Sequence, residues 1–393
     1  MRGIESMKIL ILGLICSQWT VHFVESCLLD KGYEVWMVRR KNSREDDKYI
    51  KVYQQLGIHF INCIITDIDI KNGRKNKNYL KVFKAQLEQI KLIKKAGPFD
   101  LINLHYVDSD DMIYAPVLKK LTKSKLIFSY WGSDLFRTGD RQLYFRGIFA
   151  RCADYITFDN KDLQIKFNKV YRWADEVPTE VILFGLSVLD IIKEKYKNQS
   201  LSDIRKRWNI PNDKIVVAVG YNGHPQQQHI KILKAIEKMD ETARKRIVLL
   251  LQMTYGGSKE YRRKVLVEAK KTGCEYREIC QFLSDDEVAE LRIMTDIYIN
   301  AQTTDAFSGS VCENLFAGTK LLNASWLRYQ EFKEYNFKYW EFNKIEELGQ
   351  FIKTAMEQEV DCSQNRELIW RLRSWEFCAL KWERMFRSLI KYR

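Results

Sequence analysis

The chain has 393 residues, 46% hydrophobic and 13% aromatic, with a formal net charge of +14. That length suits two domains better than one core, and the apolar content excludes a disordered chain. No apolar run approaches the roughly 20 residues of a bilayer-spanning helix.

In chain order, Met1 to Ser6 carry no pattern. Met7 to Cys16 has the look of a signal core but no small-residue cleavage site, and Gln18, Trp19 and His22 follow, so it reads as a buried first strand. Strands are predicted at Lys8–Gly13, Glu34–Val38, Asp100–Tyr106, Lys125–Tyr130, Tyr155–Phe158 and Val181–Phe184. Helical patterns at Val21–Lys31 and Tyr79–Lys95 lie between them, the second ended by the turn Gly97-Pro98-Phe99-Asp100. After a charged helical bridge near Leu189–Trp208, strands return at Ile215–Gly220, Ile247–Gln252, Ile297–Ala301 and Thr319–Asn323. Helices fall between these at about Ile230–Lys238, Lys259–Thr272 and Asp285–Thr295. Short apolar runs alternating with helices indicate α/β architecture with doubly wound parallel sheets. We expect a Rossmann-like domain over 1–190, a second over 191–364, and a terminal helix over 365–393 that crosses back to the first. That terminal stretch carries Trp370, Trp375, Phe377, Trp382 and Phe386, a stripe read as packing.

The nine cysteines form no Cys-x-x-Cys pair and no zinc spacing, as in a reduced, cytoplasmic protein. Between Lys71 and Lys95 stand Lys71, Arg74, Lys75, Lys77, Lys81, Lys84, Lys91, Lys94 and Lys95 against Glu88 alone. Two readings stand for this run: a solvated helix face, or a surface drawn to anionic lipid heads on the inner face of the plasma membrane. Nucleic acid is not expected, because no aromatic recognition motif accompanies the charge.

The segment Thr304 to Gly318 is the most informative. Asp305 and Glu313 are separated by seven residues, with Ser308-Gly309-Ser310 between them and a short apolar helix starting at that turn. Free amides at a helix start form an anion seat, and a carboxylate on each side suits sugar hydroxyls. Phosphate in the middle with hydroxyls at both ends describes a nucleotide-sugar. A second loop, Gly220-Tyr221-Asn222-Gly223-His224, follows a strand and precedes a helix, and its glycines permit backbone approach to phosphate. Asn222, His224 and His229 could each donate a hydrogen bond there or simply cap and pack.

Three blocks in order carry a resemblance: Gln281 to Leu291, Thr295 to Ala301, and Asp305 to Glu313. Together they resemble the donor half of a GT-B glycosyltransferase of the family 4 type, over roughly Ile215 to Asn323; the first half is similar only in strand rhythm. The resemblance implies two Rossmann-like domains facing across a cleft and transfer of a sugar from a nucleotide diphosphate-sugar. By position, Glu313 would hold the ribose hydroxyls and Asp305, a glutamate in the family, the donor sugar. Ser308, Gly309 and Ser310 would meet the diphosphate, Leu283 would border the base, and Gly13 matches the acceptor loop. The Arg and Lys that usually follow the Gly220 loop are missing, with Lys231 the nearest cation. Trp131-Gly132-Ser133-Asp134, with a Gly-x-x-Gly donor loop, is similar to bacterial transferases that add an amino-deoxyfucose to a lipid-linked sugar. Trp131 then belongs to the acceptor side. Asp134 is read as acceptor-binding group, base or helix N-cap, and His105 as a second catalytic candidate.

The expected acceptor is a saccharide or polyprenyl-linked saccharide in surface polysaccharide synthesis, and the expected reaction needs neither cofactor nor obligatory metal. Retention follows from family 4 chemistry, inversion from a carboxylate base such as Asp134. An epimerase or phosphorylase, or a catalytically silent binding subunit, remain rival readings. Replacing Glu313 is expected to weaken nucleotide binding and leave the fold intact.

Overall fold

The computed structural model describes residues 7–40, 44–63, 79–107 and 111–390. The chain divides into two units: unit 1 is Met1–Gly185 with Trp375–Arg393, and unit 2 is Leu186–Ser374.

Unit 1 holds seven strands, β1 (Lys8–Gly13), β2 (Glu34–Arg40), β3 (His59–Cys63), β4 (Leu101–His105), β5 (Lys125–Tyr130), β6 (Tyr155–Phe158) and β7 (Thr179–Val181). Their order is β3-β2-β1-β4-β5-β6-β7, and every pairing is parallel. Strand β4 is buried from end to end, as expected when helices cover both sheet faces. The predicted strand Val181–Phe184 is displaced: pairing with β6 ends at Val181, and Phe184 instead packs its ring against Phe23 and Trp382. The predicted helix Val21–Lys31 begins earlier, at Gln18, and passes through a wide turn at Val24–Leu28 before ending at Lys31.

Unit 2 holds β8 (Ile215–Val219), β9 (Ile247–Gln252), β10 (Glu275–Ile279), β11 (Ile297–Asn300), β12 (Lys320–Ala324) and β13 (Trp340–Phe342). The order is β10-β9-β8-β11-β12-β13, again all parallel. Both sheets are doubly wound Rossmann-like units. Each changes direction once, between β1 and β4 in unit 1 and between β8 and β11 in unit 2. Ligands of such sheets bind outside the carboxyl ends of the strands at that switch.

The predicted terminal helix is two helices, Ser363–Arg373 and Trp375–Ile390, broken by Ser374 in an extended conformation. Trp375, Trp382 and Phe386 of the last helix are buried, with Trp382 and Phe386 both edge-on to Phe23 of unit 1. Gly185 admits this packing, since a Cβ there would lie 2.3 Å from the Trp375 ring. Among the described residues no helix is long and apolar enough to cross a membrane.

Candidate functional site

Two loops of unit 2 leave the switch-point strands. After β8, Gly220 adopts φ +66°, and a Cβ there would lie 2.7 Å from Gln227 Oε1. Gly223 N–H donates to Tyr255 O at 2.7 Å, binding this loop to the one after β9. Opposite it sit Gly256 and Gly257, where a Cβ on Gly257 would fall 2.2 Å from Gly223 O. Sequence reasoning missed this second glycine pair, although a Gly-Gly dipeptide after a strand is a readable signal. Asn222 and His224 each bond back to the loop's own backbone. Asn222 Oδ1 accepts from His224 N–H at 2.9 Å, and His224 Nδ1 accepts from Gln226 N–H at 3.2 Å. Burial lowers the His229 pKa to about 4, and its Nδ1 shares a hydrogen bond with the Tyr261 hydroxyl.

The loop after β11 meets the first one directly. Thr303 N–H donates to Gln226 O at 3.0 Å, and Gln228 Nε2 donates to Ala301 O at 2.6 Å. Asp305 Oδ2 accepts from Ser308 N–H at 3.1 Å and from the Tyr329 hydroxyl. Burial pushes the Asp305 carboxyl above its usual range, and the Tyr329 and Ser308 bonds pull it back. Phe307 has φ +55°, in the left-handed region where bulky residues are rare. Its ring is buried against Tyr329 and Phe332, which fixes the turn that delivers Ser308 to Asp305.

Ser308 then caps the helix Gly309–Ala317, its carbonyl accepting from Val311 and Cys312. The amides of Gly309 and Ser310 find no acceptor among the described residues. Two open N–H groups at the positive end of a helix are the geometry an anion seat requires.

Glu313 lies one turn into the same helix and is only 7% exposed. Its Oε2 accepts from Arg292 Nε at 3.0 Å, while Arg292 Nη1 donates to Gln252 Oε1 at 3.0 Å. Among the described residues Oε1 of Glu313 has no hydrogen bond. The Arg292–Gln252 bracket therefore orients one oxygen by fixing the other. Sequence reading missed Arg292, whose signal is a cation in the last turn of a helix otherwise charged at its start. Leu283 is half-buried in the connection from β10 to the helix Asp285–Met294. Its neighbour Phe282 is exposed and lies parallel to the Tyr255 ring, centroids 6.2 Å apart.

In unit 1 the candidates lie at the carboxyl ends of β1, β4 and β5. Gly13 takes φ +88°, and its N–H donates to Asp111 Oδ2 at 2.9 Å. His105 is fully buried among Phe23, Trp131, Phe184 and Trp382, and neither ring nitrogen has a partner among the described residues. Burial holds its pKa down to about 3, so this is a neutral core imidazole. Trp131 is half-buried and edge-on to His105.

Asp134 is fully buried, and its oxygens accept from the amides of Trp131, Gly132 (2.7 Å) and Val107 (3.1 Å). Burial raises its pKa to about 6, opposed by those same amides. The carboxyl thus ties the β5 turn to the end of β4. Because the folded-state pKa lies above the ordinary 3.8, the native state binds the proton more tightly than the unfolded chain. Stability should therefore fall as pH rises from about 4 to 6, by on the order of 3 kcal/mol from this group. Urea midpoints across that range should drop more steeply for the natural chain than for Asp134→Asn; parallel slopes would contradict the assignment.

The family model described as Glycosyl transferase 4-like matches residues 8–160. That match lies wholly within unit 1. No curated protein matches the chain. Among solved structures, a glycosyltransferase from Rickettsia africae ESF-5 is similar over 99% of this chain and 100% of its own, with TM-score 0.76 and 12% identity. HepE of Anabaena, in complex with UDP and glucose, gives TM-score 0.70 and 15% identity over 98% and 100% of the two chains. A trehalose 6-phosphate synthase from Burkholderia multivorans gives TM-score 0.70 and 10% identity over 98% and 97%. The chain is built on the GT-B plan of these proteins.

The glycosyl transferase 4-like match falls on the half whose motifs were least legible, while the donor-half motifs fall in unit 2, beyond it. Lys71 to Asn78, the start of the basic run, lie outside the described residues. So do the Asp-x-Asp tripeptides Asp67-Ile68-Asp69 and Asp108-Ser109-Asp110, a spacing that also occurs in metal-binding sites and weighs against the metal-independence expected from sequence.

Proposed function

We propose that the chain is a glycosyltransferase that binds a nucleotide diphosphate-sugar on unit 2 and transfers its sugar to a saccharide or lipid-linked saccharide bound by unit 1. The observation that carries this reading is the pair of open amides at Gly309 and Ser310, at the switch point of the second sheet, between the carboxylates of Asp305 and Glu313. Cleaving the anomeric C–O bond leaves negative charge on the diphosphate, and preorganised amides at a helix start stabilise it. Glu313 Oε1 takes the ribose hydroxyls. Asp305, held by Tyr329 and Ser308, faces the sugar, and the loop from Gly220 to Gly223 admits the phosphates at close range. HepE binds UDP and glucose in its own structure, which supports a uridine donor as the first candidate.

Asp134 is committed to backbone amides, which favours transfer with retention over inversion by a carboxylate base. Gly13 and Trp131 border the acceptor. A polyprenyl-linked or growing surface polysaccharide suits a basic chain working in the cytoplasm. The anion-binding amides make a metal dispensable in this reading, so chelator should leave turnover unchanged; loss of turnover with chelator would instead bring the Asp-x-Asp tripeptides into the mechanism.

Thermal unfolding with UDP-, GDP- and dTDP-sugars tests the assignment. At a hundredfold excess over Kd a true donor adds about 2.7 kcal/mol to the native state, a rise of several degrees in Tm. If no nucleotide-sugar moves Tm, the site reading fails. With a donor in hand, NMR of the product should show the donor's anomeric configuration; the opposite anomer would return a base to the mechanism.

A further inference from the structure

We infer that the outer helical layer of unit 1 docks on an anionic lipid surface. The helices Tyr79–Ala96, Asp111–Thr122 and Asp140–Ala150 lead into β4, β5 and β6 in turn, always moving the same way across the sheet. Right-handed crossovers put all three on one sheet face, and they pack side by side there. Their inward sides fill the core through Ile93, Met112, Leu118 and Leu143.

Their outward sides are not polar. Leu80, Phe83 and Leu87 recur at helical spacing on the first helix, 65%, 57% and 39% exposed. Val117 and Leu121 follow on the second, and Tyr144, Phe145 and Ile148 on the third, with Tyr144 76% exposed. Single exposed apolar residues are ordinary, but a run across three adjacent helices is the kind of patch that marks an interaction face.

Charge selects the occupant. Lys84, Lys91, Lys94 and Lys95 continue the exposed stripe of the first helix, and Lys120 and Arg141 are exposed on the other two. Among the described side chains of these helices the exposed acid is Asp140. Apolar side chains interleaved with cations and nearly no anions match a headgroup layer, where rings and aliphatic chains enter the acyl boundary and lysines meet phosphates. A second copy of the chain would bring the same cations face to face. The inference deepens the lipid-linked acceptor reading and rests on it for its purpose, but docking is measurable without any transfer.

Flotation of the full chain with phosphatidylglycerol–phosphatidylcholine vesicles, against phosphatidylcholine alone, is the test. The natural chain should float with the anionic vesicles. Each lysine near the surface contributes about fivefold to partition, so Lys84→Glu, Lys91→Glu, Lys94→Glu and Lys95→Glu together should lower it at least about a hundredfold. The uncharged set Phe83→Ser, Leu87→Ser, Phe145→Ser and Ile148→Ser should lower it at least about tenfold at constant charge. Because all eight side chains are exposed, Tm and its shift by the donor nucleotide should stay as in the natural chain. A natural chain that stays with neither vesicle overturns the inference. So does an apolar set that floats undiminished, or self-association in sedimentation that this set abolishes. A donor shift that persists beside failed flotation separates the loss of docking from the loss of the transferase reading.

Discussion

Glu313→Ala should destabilise unit 2 by about 3 kcal/mol or more and also weaken nucleotide binding about a hundredfold. From the sequence alone the replacement looked harmless to the fold. The structure argues for a cost, because Glu313 is buried against Arg292 and, among the described residues, its removal leaves the buried guanidinium with Gln252 alone as acceptor. Breaking one side of a buried pair costs more than replacing both sides. The double substitution Arg292→Met with Glu313→Leu should therefore regain most of the lost Tm, since two packed apolar side chains need no counter-charge. It should not regain nucleotide binding. Calorimetry with the nucleotide that shifts Tm, beside urea unfolding, separates the two effects. Nucleotide affinity within threefold of the natural chain in either variant would end the ribose assignment.

Gly13→Ala should abolish stable folding of unit 1. The residue ends β1 at φ +88°, a conformation costing an alanine about 1–2 kcal/mol. A methyl group there would also sit 2.0 Å from His105 O, inside the main chain of β4. Strand β1 is central to the sheet and pairs with both β2 and β4, so it cannot move aside without loss of both ladders. We expect a loss of more than about 4 kcal/mol, seen as little soluble protein or a collapsed urea midpoint. Stability within about 1 kcal/mol of the natural chain would show that the β1–β4 junction is looser than this geometry requires. Sequence placed Gly13 at an acceptor loop, and the structure gives the glycine a prior reason to be there, namely the close approach of two strands.

The central strands were legible because burial on both faces writes a continuous apolar run into the sequence. Lys8–Gly13, Lys125–Tyr130, Tyr155–Phe158 and Ile247–Gln252 coincide with their predicted bounds. Helix starts were legible for the same local reason: Ser284 and Glu287 form a capping box at the start of Asp285–Met294. The three strands that went unseen, β3, β10 and β13, are all at sheet edges. Strand β10 reads Glu-Tyr-Arg-Glu-Ile and buries only its last residue, so no apolar run announces it. Edge strands form because a neighbour offers hydrogen bonds, and that neighbour is distant in sequence.

The site divides along the same line. The turn at Ser308–Ser310 and its helix were readable because backbone amides at a helix start are a local property. Nothing local reveals that Glu313 pairs with Arg292, twenty-one residues earlier. The roles of His105 and Asp134 were equally undecidable, since each depends on which groups the sheet brings around it. For His105 these are four aromatic rings, and for Asp134 three amides from two different strand ends. Sequence by itself determined two parallel α/β units, their central strands and a helix start with open amides at Gly309 and Ser310, because short-range hydrogen bonding and hydrophobic period are written residue by residue. Tertiary structure alone decided which charges are paired and which side chains are sealed from water, because desolvation and ion pairing depend on neighbours that only the folded chain supplies.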